Sequence, residues 1–167
     1  MKQVITIMLL LMVAVVAIGQ PAPRHREEVT FDSNRKSWIV YGGVEPKLRG
    51  GQTFPTDVNE WSGSSWNKYS SSGPATGPYN IIMLYNASEK NTVFISSDTI
   101  QSVWKWDGKE WKSAGKNATA LREIEACYDP HQKRVLIYGN INRPGVPEYG
   151  LWEFKANTFK KISGKTP

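Results

Sequence analysis

Apolar positions along this chain take two forms. From Val4 to Ile18 they run almost unbroken, interrupted only by Thr6; beyond residue 20 they fall into short bursts separated by polar turns. The later bursts predict strands. "NIIMLY" (80–85) and "RVLIY" (134–138) are continuously apolar, as in strands covered on both faces. No segment sustains a helical period. In the last third of the chain the spacing predicts four strands, near 123–128, 134–138, 150–154 and 158–162.

The first run has a different logic. Lys2 precedes it, small residues Ala17 and Gly19 close it, and Pro21 and Pro23 follow. A positive start, a short apolar core and a small-x-small exit predict a cleaved secretory signal peptide over residues 1–20. About 20 apolar residues are needed to span a bilayer, so stable membrane insertion is not expected. The expected location is secreted or periplasmic. Residues 21–167 are enough for one domain with a core.

Within that domain the chain repeats itself. "VTFDSNRKSWIVYGG", "IMLYNASEKNTVFISS" and "EACYDPHQKRVLIYGN" each carry an aromatic followed by Asp or Asn: Phe31-Asp32, Tyr85-Asn86 and Tyr128-Asp129. A polar turn and an apolar run follow, ending at Gly42-Gly43, Ser96-Ser97 and Gly139-Asn140. Each copy then carries two aromatics five residues apart: Trp61 and Trp66, Trp106 and Trp111, Phe154 and Phe159. Aromatic pairs at this spacing around a short turn bridge neighbouring strands of a hairpin, and Asp107-Gly108 suits such a turn. The aromatic excess is therefore chiefly structural. Asp32, Asp129, Gly42, Gly43, Gly139, Trp61, Trp66, Trp106 and Trp111 are expected to define the repeat.

These motifs resemble the kelch-repeat β-propeller family, including the central domain of galactose-oxidase-like proteins. Arg24, eight residues before Asp32, is similar to the family's repeat opening. The resemblance implies an all-β fold, a partial propeller of three four-stranded antiparallel blades at about 24–69, 78–113 and 121–162. "SSSGPATGP" and "SAGKNATA" read as linkers between blades. Family members close rings of about 4–8 blades. Three blades leave three readings: two chains joined as a six-bladed homodimer ring, a truncated relative of a longer propeller, or an open array.

Composition narrows the chemistry. The net charge is +6, or +5 without Lys2 (6 − 1), and Lys155, Lys160, Lys161 and Lys165 fit a solvated strand edge better than a nucleic-acid face. Cys127 is the only cysteine and is expected to be a buried small hydrophobe. With His25 and His131 the only histidines, no metal site or cofactor is expected. A copper centre of the galactose oxidase kind lacks its ligands, and adjacent Cys127 and Tyr128 point to opposite faces of a strand.

The favoured function is a binding module for a protein or glycan, without catalysis. Its surface would be built from rim loops at 44–56 and 140–149, with Arg49, Gln52, Arg143 and Tyr149 as contact candidates. Trp38 stands where the other copies have Thr92 and Val135, which makes it a candidate for glycan stacking, although core packing is the commoner fate of such a residue. Trp104 is a weaker candidate of the same kind. The alternative is a sugar-active propeller enzyme of mutarotase or isomerase type, with Glu27, Glu28, Glu123 and Glu125 on the innermost strands as acid–base groups. Of the two Asn-x-Ser/Thr sequons, Asn86 reads as a turn residue and Asn117 as the better glycan acceptor.

Overall fold

The computed structural model describes residues 19–48, 50–70, 72–77, 81–97, 101–117, 121–141 and 148–163. The expected signal peptide thus lies almost wholly outside the described residues. Among those described there is no helix, and no helix long and apolar enough to cross a membrane.

Among the described residues, thirteen strands form three antiparallel sheets. The first sheet holds β1 (His25–Asp32), β2 (Ser37–Pro46), β4 (Val58–Trp61) and β5 (Trp66–Tyr69), with a two-residue β3 (Gln52–Thr53) pairing on the far end of β2. The middle sheet runs β6 (Ile81–Asn86), β7 (Asn91–Ser97), β8 (Gln101–Trp106) and β9 (Trp111–Asn117). The third runs β10 (Leu121–Asp129), β11 (Arg134–Ile141), β12 (Glu148–Lys155) and β13 (Thr158–Ser163). Two expectations need correction. The loop at 44–56 is partly strand, because Gln52 and Thr53 pair with Pro46 and Glu45. The segment "SAGKNATA" is less linker than expected, because β9 continues through Asn117.

The same turn opens every sheet. Asp32 Oδ1 accepts the backbone N–H groups of Asn34 and Arg35, Asn86 Oδ1 those of Ser88 and Glu89, and Asp129 Oδ1 those of His131 and Gln132. A short side chain that caps its own turn explains why only Asp or Asn serves here. A lysine in left-handed conformation completes each turn: Lys36 (φ 56°), Lys90 (φ 54°) and Lys133 (φ 51°). Gly43 is needed for a second reason. Its φ is +85°, and a Cβ there would lie 3.0 Å from Glu27 N and His25 O.

The sheets stack face to face. On the first side of the middle sheet, Met83, Phe94, Trp106 and Trp111 pack against Ile39, Tyr41 and Val58 of the first sheet. On its other side, Leu84, Val93, Ile95 and Val103 meet Leu121, Ile124, Val135, Ile137 and Phe154 of the third. This two-sided burial is why its strands read as continuous apolar runs. Trp106 and Trp111 (ring centroids 5.5 Å apart) are core, as the repeat implied, and so is the pair Phe154–Phe159 at 4.9 Å. Arg35 of the first sheet lies over the Asp107-Gly108 turn so closely that a Cβ at Gly108 would fall 1.8 Å from its Nη1. The glycine of that turn is therefore set by tertiary contact as well as by φ.

Among the described residues, each of the two end sheets has one face that no other sheet covers. On the first sheet it carries Phe31, Trp38, Trp61 and Trp66, whose registers place them side by side across four strands. On the third sheet it carries Glu125, Cys127, Leu136, Tyr138 and Leu151, around an open cavity of about 220 Å³. Cys127 is accordingly exposed, which corrects the expectation of burial. Its counterpart in the middle sheet, Leu84, is covered by the third sheet, whereas no sheet among the described residues covers Cys127. Tyr128, on the opposite side of β10, packs against the core.

Candidate functional site

The innermost strands β1, β6 and β10 lie next to one another, and a kink in two of them gathers the acidic groups. Arg26 (φ 59°) and Glu123 (φ 49°) occupy equivalent places in β1 and β10, six residues before the turn aspartates. In β10 the pairing register shifts between Arg122 and Glu125. Bulges re-aim the residues that follow, here Glu28 and Glu125.

Glu28 Oε2 accepts the backbone N–H of Met83 at 2.9 Å, satisfying an edge donor of the middle sheet. Burial pushes its carboxyl up from 4.5 to about 7; the Met83 bond opposes this and the charge of Glu125 adds to it. At the near end of β12, Tyr149 Oη donates to Glu123 Oε2 at 2.6 Å. That bond is the main reason the phenol holds its proton above the usual range. The Tyr149 ring stacks on Tyr138, with centroids 5.6 Å apart and planes 16° apart. The corner thus combines flat aromatic surface with carboxylate acceptors, a set suited to hydroxyl-rich or basic ligands.

The contact candidates from the sequence separate in space. Tyr149 belongs to this corner. Gln52 is exposed on β3 of the first sheet. Arg49 and Arg143 lie outside the described residues, as does most of the loop at 140–149. Trp38 is 49% exposed, tilted against Phe31 at 5.2 Å on the bare face of the first sheet, so core packing is not its fate within one chain. Trp104 is half-buried against the core. Glu27 is half-buried in β1, while His25 and His131 are exposed at separate places, and no group of three metal-ligating side chains occurs among the described residues. Asn86 is buried with its oxygen held by the turn, including the Ser88 hydroxyl at 2.8 Å, which fits a structural residue. Asn117 ends β9, and the rest of its sequon lies outside the described residues.

Tyr138 escaped the sequence reading because it closes a burst that looked like core. The signal was there in the alignment: Glu28 and Tyr41 of the first copy recur as Glu125 and Tyr138 in the third, at the same distances from Asp32 and Asp129.

No protein-family model matches the chain. No sequence among the curated proteins matches it either. Among solved structures, the chain is similar in fold to "Structure of YjhT", with a TM-score of 0.58 at 12% identity. The match takes in 86% of this chain and 53% of that one, so the chain spans about half of YjhT.

Proposed function

We propose that the chain is a secreted or periplasmic kelch-like binding module, built as propeller blades, that takes a glycan or protein ligand at the Tyr149 corner. The observation that carries this reading is the convergence of stacked Tyr138 and Tyr149 with the Glu123 carboxylate. Aromatic faces receive the apolar side of a sugar ring or the stem of a basic side chain, and carboxylates accept hydroxyl or ammonium protons. Oligosaccharide and Lys/Arg-rich peptide panels titrated against the chain and followed by tyrosine ring NMR signals test it. Tyr149→Ala and Glu123→Gln should each weaken binding about tenfold, the loss of about 1.4 kcal/mol that one such contact supplies. Binding unchanged in both variants would move the site elsewhere.

One observation favours a second reading, acid–base chemistry on a sugar: burial holds the Glu28 carboxyl up near neutrality, with the charge of Glu125 adding to it. Its engagement by the Met83 N–H is an ordinary structural duty and makes this the lesser reading. Accelerated mutarotation or epimerisation of free sugars, lost in both Glu28→Gln and Glu125→Gln, would raise it above the first.

A further inference from the structure

The two outer faces are the two halves of a joint that the chain already builds twice, on either side of its middle sheet. At the joint between the first and middle sheets, the first sheet offers Glu28, Ile39, Tyr41 and Val58. The middle sheet inserts Met83, Phe94, Trp106 and Trp111. Alignment on the turn aspartates puts Glu125, Leu136, Tyr138 and Leu151 at the places of the first set, all on the bare face of the third sheet. The same alignment puts Val29, Val40, Trp61 and Trp66 at the places of the second set, on the outer face of the first sheet, where Val29 is exposed and Val40 is already buried within the chain.

A polar cluster of similar composition stands beside the turn on each face, with its arginine at a different repeat position. Arg35 binds Asp32 at 2.9 Å, approaches Glu60 at 3.7 Å and lies over Gly108. Arg134 binds Asp129 at 3.1 Å and Glu153 at 2.7 Å, and the turn that would lie beneath it is that of Gly63, whose surroundings are open to 4 Å. Where the joint is made, Tyr41 is fully buried; where it is unmade, Tyr138 is 43% exposed.

We infer that the bare face of the third sheet docks the bare face of the first sheet of a second copy of this chain, twice in one symmetric pair, closing a ring of six sheets. A second copy is the occupant argued for, because the two complementary faces are both on this chain and match joints it already makes. Two such joints are related by a twofold axis, so the assembly closes rather than growing into a filament. In it Glu125 accepts the Val29 N–H as Glu28 accepts that of Met83, and Trp66 packs on Tyr138 as Trp111 packs on Tyr41 at 4.8 Å. The inference does not depend on the ligand proposed above. It buries Tyr138 and leaves the Tyr149–Glu123 pair of that corner as the part a ligand could still reach.

Light scattering coupled to size exclusion on the full chain tests it, with Trp66→Glu and Tyr138→Lys as variants. The expected masses are two copies for the parent and one for each variant. An equimolar mixture of the variants regains two copies, because one joint is then unmutated and the other pairs Glu with Lys. Thiol labelling of Cys127 in the parent is expected to slow at least tenfold as its concentration is raised through dimer formation, a comparison that needs no variant and so holds even if a variant misfolds. A parent of one-copy mass with freely labelled Cys127 overturns the inference. So does a mixture that stays at one copy. An aromatic face that binds oligosaccharide in a one-copy chain would give that face to a glycan instead.

Discussion

Replacing Glu28 by glutamine isolates the energetic effect of a single buried carboxyl. Folded Glu28 keeps its proton up to about pH 7, whereas the unfolded chain releases it near 4.5. Between those values the native state binds more protons, so stability falls as pH rises through that window. Holding a carboxyl about 2.5 pH units above its ordinary value is equivalent to about 3.4 kcal/mol at 1.36 kcal/mol per unit. Glu28 is only partly shielded from solvent, and screening reduces this to about 2 kcal/mol. Glutamine keeps an oxygen for the Met83 N–H and carries no charge. Glu28→Gln should therefore match the parent below about pH 4.5 and exceed it by about 2 kcal/mol at pH 8, a gap that opens between the two carboxyl values. Urea unfolding followed by tryptophan fluorescence at fixed protein concentration measures the gap; the other titrating groups cancel in the difference. A gap that stays constant between pH 5 and pH 8 would refute the reasoning, and a variant weaker at every pH would show that the Met83 bond needs the anion.

Three further outcomes can be read in the same unfolding assay. Asp32→Ala frees two turn N–H groups and leaves half-buried Arg35 without its main partner, a loss of about 2–3 kcal/mol. Asp107→Ala, at an exposed turn with the same bonding pattern, should lose about 1 kcal/mol or less. Gly43→Ala combines positive φ with backbone contacts at 3.0 Å and should lose about 2 kcal/mol or more, whereas Gly63→Ala, at φ 92° in open space, should lose about 1. Trp111→Ala empties the centre of a joint and should cost about 3–5 kcal/mol.

Much of the fold was legible because its signals are local. The Asp or Asn that caps each turn, the aromatic pairs five residues apart and the doubly apolar strands report short-range geometry, and they were read within a few residues of their places. Arg35 over Gly108 was not legible, since the contact joins two sheets and needs their relative placement. Cys127 shows the limit most clearly. Its neighbours specify a strand, but burial depends on whether another sheet lies on that side, which no local pattern records. Trp38 fails for the same reason on the opposite end. The sequence by itself determined the strands, their turns and the repeat, because backbone hydrogen bonding and side-chain alternation act over a few residues. Only the tertiary structure decided which faces are covered, brought Glu28 into the field of Glu125, and set Tyr149 against Glu123. Burial and electrostatics depend on distances in space between residues far apart along the chain.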